Sequence, residues 1–534
     1  MDWSSYSRPT AVLTALVDNW TVTLPVISIG AFLLYAVQTL RAWIRLRHIK
    51  GPPLAGFSNI WLFRVIMGGN THWELGQVNR KYGPLARIGP NELVTSDPDM
   101  LRKMLGVRSR YTRSDWYIAM RFDPNSDNIL SQRDNALHHS LRSKMSAGVR
   151  LNRTTQALND KHDSDYTGKD IEQAEVKIDN NIMTLLNLLQ RKYTSTASSI
   201  KPFDFGRIAQ YFTLDVISDL AYSEPFGCLD TDSDIYGYIK AVEQNMPFIM
   251  FVSTMPKFGW VLRTGILNKF MPSGNDELGF GRVLRICQEK AAERFGPDRK
   301  IQRDMLGSFV RHGLTLKEAE SESLLQMLTG DASVAGSETT ATSIRATLLH
   351  IITNPLIYNK LVAEIMQAAR GLPVPIPDAV AKELPYLQAC IKEGLRIWPP
   401  ITGLMSKVVP PEGDSFRDLH LPPGTIIGYS AFGLSRNKEV WGEDADIFRP
   451  ERWFEGTKEE IRVKEAAVDL VFGHGRWQCL GKHMAYVELN KIIFELLRHY
   501  DIHVANPTEV WHNSCVGIFM QDNFWLISTK RNTD

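Results

Sequence analysis

The spacing of apolar side chains along this chain predicts a mainly helical protein. Apolar residues recur every three to four positions, which is the period of a helix with one buried face, at residues 72–82, 170–191, 206–222, 317–353 and 379–397. Short apolar runs bounded by Gly, Pro or Asn predict strands, at residues 85–88, 92–95, 407–409, 419–421 and 425–429. We therefore expect many helices with small β-sheets.

Two short motifs add detail near residue 90. Gly89-Pro90-Asn91 separates two predicted strands and indicates a hairpin turn. Asp97 precedes Pro98 at the start of the next helical pattern. Aspartate is a preferred N-cap and proline suits the first helical position, so we expect a helix to begin at Pro98.

The N-terminal pattern differs from the rest because no charged residue occurs from residue 19 to residue 40. A helix of this length spans about 33 Å, enough to cross the apolar core of a bilayer. Basic residues follow at once, at Arg41, Arg45, Arg47 and Lys50. By the positive-inside rule the body after this segment faces the cytosol. A cleaved signal peptide is the alternative, but the run is long, starts late and lacks a basic leader.

The chain accordingly divides into four predicted regions. They are a short lumenal tail at 1–18, a transmembrane anchor at 19–43, a basic, Pro-rich hinge at 44–54 and one large domain at 55–534. Lys50-Gly51-Pro52-Pro53 marks the hinge as a stiff, non-helical spacer. Beyond it we find no linker or repeat that would split the body.

Composition excludes several functions. The formal charge of +2 leaves no basic footprint for nucleic acid. The five cysteines are odd in number and widely spaced, without a C-x-x-C pair, so neither a disulfide framework nor a zinc site is expected. The body should therefore lie in a reducing compartment.

The most informative motif is Phe472-Gly-His-Gly-Arg-Trp-Gln-Cys479-Leu-Gly481, followed by a helical pattern. Glycines permit a tight turn and the close approach of a flat ligand. A thiolate before a helix N-terminus is stabilised by the helix dipole, which suits an axial sulfur ligand on haem iron. A buried structural cysteine is the alternative. The motif resembles the haem-binding loop of the cytochrome P450 family in its fungal microsomal form, which implies the P450 fold and haem b held by Cys479.

A second motif is Glu393-Gly-Leu-Arg396, whose two charges share one helix face. Alone it is weak, since exposed pairs of this kind are common. In the P450 family the arginine of a later P-E-R motif locks the pair, and Arg452 matches that position. The resemblance implies that these three residues support the Cys479 loop.

A third motif is the run Ala335-Gly-Ser-Glu338-Thr339-Thr340, which we expect inside the helix that starts near Leu316. Gly and Ser are poor mid-helix residues, so a local opening at Gly336 is predicted. The run resembles the oxygen-activation motif of the family, which implies that Glu338 and Thr339 pass protons to dioxygen. An ordinary Ser/Thr-rich helix is the alternative.

The resemblance also implies donors for the haem propionates. His138 and Arg142 share a helix face where relatives have W-x-x-x-R, so His replaces Trp. Trp477 stands where relatives usually have Arg, with Arg476 one step earlier. Lys407 is a further predicted propionate contact. With Phe472 and Gly481 of the loop, these residues complete the predicted cofactor site.

The predicted function is a haem-thiolate monooxygenase, an oxidoreductase of the EC 1.14 type. It would use dioxygen and NADPH electrons delivered by NADPH–cytochrome P450 reductase, with cytochrome b5 as a second candidate partner. The body would face the cytosol on a single-pass anchor in the endoplasmic reticulum membrane. Apolar segments predicted to line the pocket favour a lipophilic small-molecule substrate, at residues 117–129, 246–251, 401–405 and 516–520.

The wording of the loop and the stretch Tyr166-Thr-Gly-Lys169 resemble pisatin-demethylase-like members of fungal secondary metabolism. Substrates there are terpenoids, polyketides or alkaloids. Two alternatives stay open. One is a haem-thiolate isomerase or dehydratase that needs no reductase, which the Glu338–Thr339 pair disfavours. The other is a non-enzymatic haem- or sterol-binding membrane protein, which would need no proton relay.

Overall fold

The computed structural model describes residues 20–121, 126–146, 169–256, 279–299, 302–329 and 336–531. The predicted lumenal tail and most of Tyr166–Lys169 lie outside these residues. The helices of the N-terminal part are α1 (Trp20–Leu46), α2 (Ile60–Met67), α3 (Thr71–Tyr82), α4 (Pro98–Leu105), α5 (Asn135–Ser146), α6 (Lys169–Leu188), α7 (Phe205–Tyr222), α8 (Cys228–Thr231), α9 (Tyr238–Thr254), α10 (Gly279–Ala292) and α11 (Met305–Arg311).

The helices of the C-terminal part are α12 (Leu316–Thr329), α13 (Glu338–Ile352), α14 (Pro355–Ala368), α15 (Asp378–Ala381), α16 (Pro385–Ile397), α17 (Ala431–Leu434), α18 (Lys438–Trp441), α19 (Lys458–Val468) and α20 (Lys482–His499). At the centre lies α13, which packs against α7, α16 and α20. Its side chains are buried along almost its whole length. The predicted mainly helical P450 class is confirmed.

The strands are short, namely β1 (Leu85–Arg87), β2 (Glu92–Thr95), β3 (Thr112–Arg113), β4 (Thr194–Ser195), β5 (Phe203–Asp204), β6 (Lys407–Val408), β7 (Asp414–Phe416), β8 (Leu419–Leu421), β9 (Ile426–Tyr429), β10 (Tyr500–Val504), β11 (His512–Cys515), β12 (Phe519–Asp522) and β13 (Trp525–Lys530). The largest sheet runs β1-β2-β9-β6-β3. A second sheet runs β10-β13-β4 with β5 on β13, and β7-β8 and β11-β12 form separate pairs.

Local motifs folded as the sequence indicates. The strands β1 and β2 pair antiparallel around the predicted hairpin, with Leu85 opposite Thr95. The Asp97 carboxylate accepts hydrogen bonds from the backbone N–H groups of Asp99 and Met100 at 3.0 and 2.8 Å, which caps α4.

Two long helical patterns are interrupted. In the pattern at 379–397, α15 ends at Ala381 and α16 begins at Pro385. Proline has no N–H to donate and disfavours helical geometry in the preceding residue, and Leu384 is accordingly extended. In the pattern at 317–353, residues 330–335 lie outside the described part, Gly336 and Ser337 form a turn, and α13 starts at Glu338.

The predicted anchor is helical, because α1 covers Trp20–Leu46. Among the residues that the structure describes, no helix is both long enough and apolar enough to cross a bilayer. The membrane-spanning character of residues 19–43 therefore stays a prediction.

The segment predicted as a hinge packs against the body. Leu46 and Ile49 are buried in an apolar cluster with residues of β1, β2, α4 and β9. The Arg45 guanidinium donates to the Pro423 carbonyl at 2.6 Å, and the His48 ring nitrogen lies 2.8 Å from the His420 carbonyl. The end of α1 is thus fastened to the small β7-β8 sheet.

This packing predicts that Leu46 stabilises the body. We expect Leu46→Ala to lower the free energy of unfolding by about 2–5 kcal/mol, as for other leucines truncated in a core. The midpoint of urea unfolding in detergent measures the effect. Leu40→Ala is the matched control, since Leu40 lies on the same helix but is 54% exposed. Equal midpoints for the two variants would contradict the docking of α1.

Candidate active site

The Cys479 loop faces a large apolar cavity. Its lining includes Cys479, Phe472, Gly481, Thr339 and Gly336, so the first and third motifs meet across one space. The cavity has a volume of about 160 Å³. An apolar space of this kind, with few polar groups, is typical of cofactor and small-molecule sites.

The glycines of the loop are required by its backbone. Gly473 and Gly475 have φ values of 73° and 60°, a region that disfavours residues with a Cβ. A Cβ on Gly473 would lie 2.7 Å from the Trp477 carbonyl oxygen, and one on Gly475 would lie 2.6 Å from that of Leu105. The Cys479 N–H donates to the Phe472 carbonyl at 2.7 Å, which closes the loop. Helix α20 begins at Lys482, so the sulfur precedes a helix N-terminus.

The predicted three-charge cluster forms behind this loop. Glu393 accepts from Arg396 at 2.7 and 2.9 Å and from the Arg452 Nε at 2.8 Å. The Arg449 N–H and the Trp453 indole also donate to Glu393. All three charged side chains are buried. The guanidinium of Arg396 also binds the carbonyls of Ser435, Ala445 and Ile447, which fixes the segment that leads to the loop.

Basic side chains gather at the other end of the Cys479 loop. The Lys407 Nζ lies 3.4 Å from the Trp477 ring centroid, and the Arg113 guanidinium lies 4.2 Å from it. The rings of His138 and Trp477 are 4.4 Å apart. Burial, with Arg113, Arg142, Lys407 and Arg476 nearby, lowers the pKa of His138 to about 2. Burial, with Arg113 and Arg476, holds the pKa of Lys407 well below its usual value.

Several buried nitrogen atoms of this basic cluster have no hydrogen-bond acceptor among the described residues. Buried Lys407 Nζ, Trp477 Nε1, His138 Nδ1, Arg113 Nε and Arg476 Nε have no hydrogen-bond partner among the described residues. Within that same part of the chain, Lys407, Arg113 and Arg476 form no ion pair with a carboxylate. Buried unsatisfied donors of one charge sign are unfavourable without an anion. The cluster therefore fits the two propionates of haem, and Cys479 fits its axial ligand.

The predicted proton-transfer residues face different spaces. Thr339 lines the large cavity, and its carbonyl accepts from the Ser343 hydroxyl at 2.9 Å. The Glu338 carboxylate instead binds Arg345 at 2.8 Å and accepts from the Gln210 amide. Burial raises the pKa of Glu338, although Arg345 opposes the shift.

Sequence reasoning missed two residues of the site. Arg113 belongs to no motif, and only the register of β3 with β6, which pairs it with Lys407, brings it to the cluster. Glu488 lines the large cavity from α20, and burial raises its pKa to about 8. Its position seven residues after Gly481, about two helical turns along the predicted helix, was the available signal.

Of the segments predicted to line the pocket, only part does so. Tyr117, Ile401 and Met405 line the large cavity. Residues 246–251 and 516–520 are not part of its lining. Met246 and Ile518 instead line a small neighbouring cavity beside Glu338. Residues 122–125 lie outside the described part of the chain.

The Cys479 loop, the basic cluster and the central helix α13 meet at one cavity, as expected for the class of haem-thiolate enzymes. The family profile described as Cytochrome P450 matches residues 50–523, so this chain belongs to the cytochrome P450 family and is a monooxygenase, an oxidoreductase. The family implies a haem-thiolate cofactor.

Several fungal proteins are similar over nearly their whole length. Cytochrome P450 monooxygenase ABA1 of Pyricularia oryzae is 41% identical over 97% of this chain and 99% of the relative. Cytochrome P450 monooxygenase aba1 of Botryotinia fuckeliana is 36% identical over 91% of this chain and 92% of the relative. A cytochrome P450 monooxygenase of Aspergillus terreus is 30% identical over 89% and 94%.

The basic cluster predicts that Lys407→Met weakens haem retention without destabilising the haem-free protein. Loss of one charge-assisted bond to a propionate should speed haem loss about tenfold. The haem-free protein should unfold at the same or higher urea concentration, because a buried cation facing Arg113 and Arg476 is removed. Haem transfer to excess apomyoglobin measures the first effect. Lys360→Met, at an exposed surface pair with Glu451, is the control. Slower or unchanged haem loss would exclude a propionate contact.

Proposed function

We propose that this protein hydroxylates, epoxidises or otherwise oxidises a lipophilic intermediate of fungal secondary metabolism. The observation that carries the proposal is that Cys479 and Thr339 line the same apolar cavity. When bound, haem supplies the reductive activation of dioxygen, with electrons from NADPH passed on by the reductase. The mainly apolar lining favours a lipophilic substrate, which we place in the terpenoid, polyketide or alkaloid classes.

The chain's own residues have separate roles in this proposal. Cys479 would hold the haem iron through its thiolate, Phe472 and Gly481 would shape the loop, and Glu338 and Thr339 would deliver protons. His138, Arg142, Lys407, Arg476 and Trp477 hold the propionates, and Arg113 joins them. The cluster of Glu393, Arg396 and Arg452 supports the loop. We further propose a single-pass anchor in the endoplasmic reticulum membrane, a cytosolic body, and NADPH–cytochrome P450 reductase and cytochrome b5 as partners.

The proposed function is tested by expressing the chain with a reductase in a host fed with candidate intermediates. NADPH-dependent product formation is expected. Turnover that needs neither NADPH nor reductase would instead favour an isomerase or dehydratase. Spectral shifts on ligand binding without any turnover would contradict the enzyme assignment.

Cys479 as axial ligand predicts a specific spectral loss. We expect Cys479→Ala to lack the carbon-monoxide Soret band that is characteristic of thiolate ligation in the reduced protein. Burial raises the pKa of the other cysteine thiols and disfavours the thiolate form. Alanine at each of those positions, Cys228, Cys287, Cys390 and Cys515, should keep the band. A thiolate band that persists in Cys479→Ala would exclude this ligand.

Thr339→Ala should separate electron consumption from product formation. Without the hydroxyl, protons reach dioxygen more slowly, and hydrogen peroxide is released instead. General acid–base catalysis contributes roughly 10²–10⁴-fold, and we expect the ratio of product to NADPH oxidised to fall at least about tenfold. Ser343→Ala is the control, because Ser343 lies one turn along α13 in the same cavity. An unchanged ratio in Thr339→Ala would place the proton path elsewhere.

A further inference from the structure

A second, small cavity lies on the outer side of Glu338. It is lined by Glu338, Ser337, Gln210, Glu243 and Tyr238, among others. Its volume of about 20 Å³ is enough for one ordered water, which requires about 10–15 Å³ and two or more polar partners. Glu338 faces this cavity and Thr339 faces the large one, so the first turn of α13 separates the two spaces.

Polar contacts connect Glu338 to the surface through this region. The side-chain amide of Gln210 donates to the Glu338 carboxylate, and the Arg207 guanidinium donates to the side-chain oxygen Oε1 of Gln210 at 3.4 Å. Arg207 binds Glu243 at 2.6 and 3.3 Å and Asp522 at 3.1 Å. The side chains of Arg207 and Glu243 are 28% and 25% exposed. Glu243 therefore touches both bulk water and the cavity that adjoins Glu338.

The other partner of Glu338 leads away from solvent. Arg345 has no exposed side-chain surface, and its guanidinium also donates to the Gly206 carbonyl at 3.0 and 2.7 Å. Arginine does not release a proton in proteins. Arg345 can hold the Glu338 carboxylate in place but cannot return a proton to it. The group that reprotonates Glu338 therefore lies on the side of Gln210 and Glu243.

We propose that Glu243 is the outer carboxyl of a proton path that reaches Glu338 through a water in the small cavity, with Arg207 as its positioning residue. The inference rests on the proposed function, because it requires Glu338 and Thr339 to deliver protons. For each transfer, one proton enters Glu243 from bulk water, one crosses the cavity water to Glu338, and one leaves Glu338 toward Thr339. Each carboxyl then returns to its starting state. Burial and the nearby Glu243 raise the pKa of Glu338, while Arg345 and Arg207 oppose the shift.

The path can be tested without the natural substrate or a reductase. We expect both hydrogen peroxide and m-chloroperoxybenzoic acid to drive the oxidation of guaiacol by the haem-loaded enzyme. Two guaiacol molecules each lose one electron and one proton and then couple. Hydrogen peroxide is reduced to two waters, and m-chloroperoxybenzoic acid is reduced to m-chlorobenzoic acid and one water. Cleavage of hydrogen peroxide requires a proton on the poor leaving group hydroxide, whereas m-chlorobenzoate leaves without one. The ratio of the two rates therefore reports protonation of the leaving oxygen.

We expect Glu243→Gln to lower this ratio about threefold or more, a small part of the 10²–10⁴-fold range of general acid–base catalysis. Glutamine keeps the size of the side chain and a bond to Arg207 but cannot carry the proton. Glu243→Asp should restore part of the ratio. Glu465→Gln, which disrupts a pair with Lys392 of the same 2.6 Å length, should leave the ratio unchanged. An equal fall with both oxidants, or an equal fall in Glu465→Gln, would overturn the path.

Two further measurements distinguish failure of this proton path from failure of the proposed function. Glu338→Gln and Thr339→Ala should also lower the ratio. If Glu338→Gln and Thr339→Ala lower the ratio and Glu243→Gln does not, only the outer path fails. If neither Glu338→Gln nor Thr339→Ala lowers the ratio while the thiolate band is intact, the proposed proton delivery fails as well. A crystal structure of the resting enzyme should show a water within hydrogen-bond distance of Glu338 and Glu243. A dry cavity would contradict the path independently of any turnover.

Discussion

The buried carboxylate of Glu393 joins helix α16 to the segment that follows α18. It accepts from two arginines, an indole and a backbone N–H, all inside the protein. Removing one partner of such a cluster leaves an uncompensated buried charge, which costs roughly 3–5 kcal/mol. Because Arg396 also binds three carbonyls of the segment between α17 and the loop, a long stretch with little regular structure takes one position.

The basic cluster around Trp477 has the opposite character. Glu393 satisfies its arginines within the chain, whereas Lys407 and Arg113 face an aromatic ring and have unsatisfied donors. Cation–π contacts are worth about 0.5–2 kcal/mol each, less than the desolvation of a buried cation. The haem-free chain is therefore strained at one end of its cofactor site. Binding of a dianionic group there relieves the strain, so cofactor affinity and folding stability are coupled.

Contacts of short sequence range were predictable, and contacts of long range were not. The β1–β2 hairpin, the Asp97 cap and the i, i+3 pairing of Glu393 with Arg396 depend on residues within one or two turns. Arg113 reaches the site only through strand register, and the docking of Leu46 depends on an apolar cluster to which six other elements contribute. The division between the two cavities likewise depends on how α7 and α9 pack beside α13, which no local pattern encodes.

Trp477 shows how this chain departs from its family without losing the site. Tryptophan carries no positive charge, and its ring centroid lies 3.4 Å from the Lys407 Nζ, 4.2 Å from the Arg113 guanidinium and 4.4 Å from the His138 ring. The ring face attracts both cations, while its N–H stays available as a donor. A neutral ring at this position does not add to the repulsion between the two cations, as an arginine would. Lower positive charge beside the haem stabilises the oxidised over the reduced iron, so this substitution should favour a lower reduction potential than an arginine would at the same position.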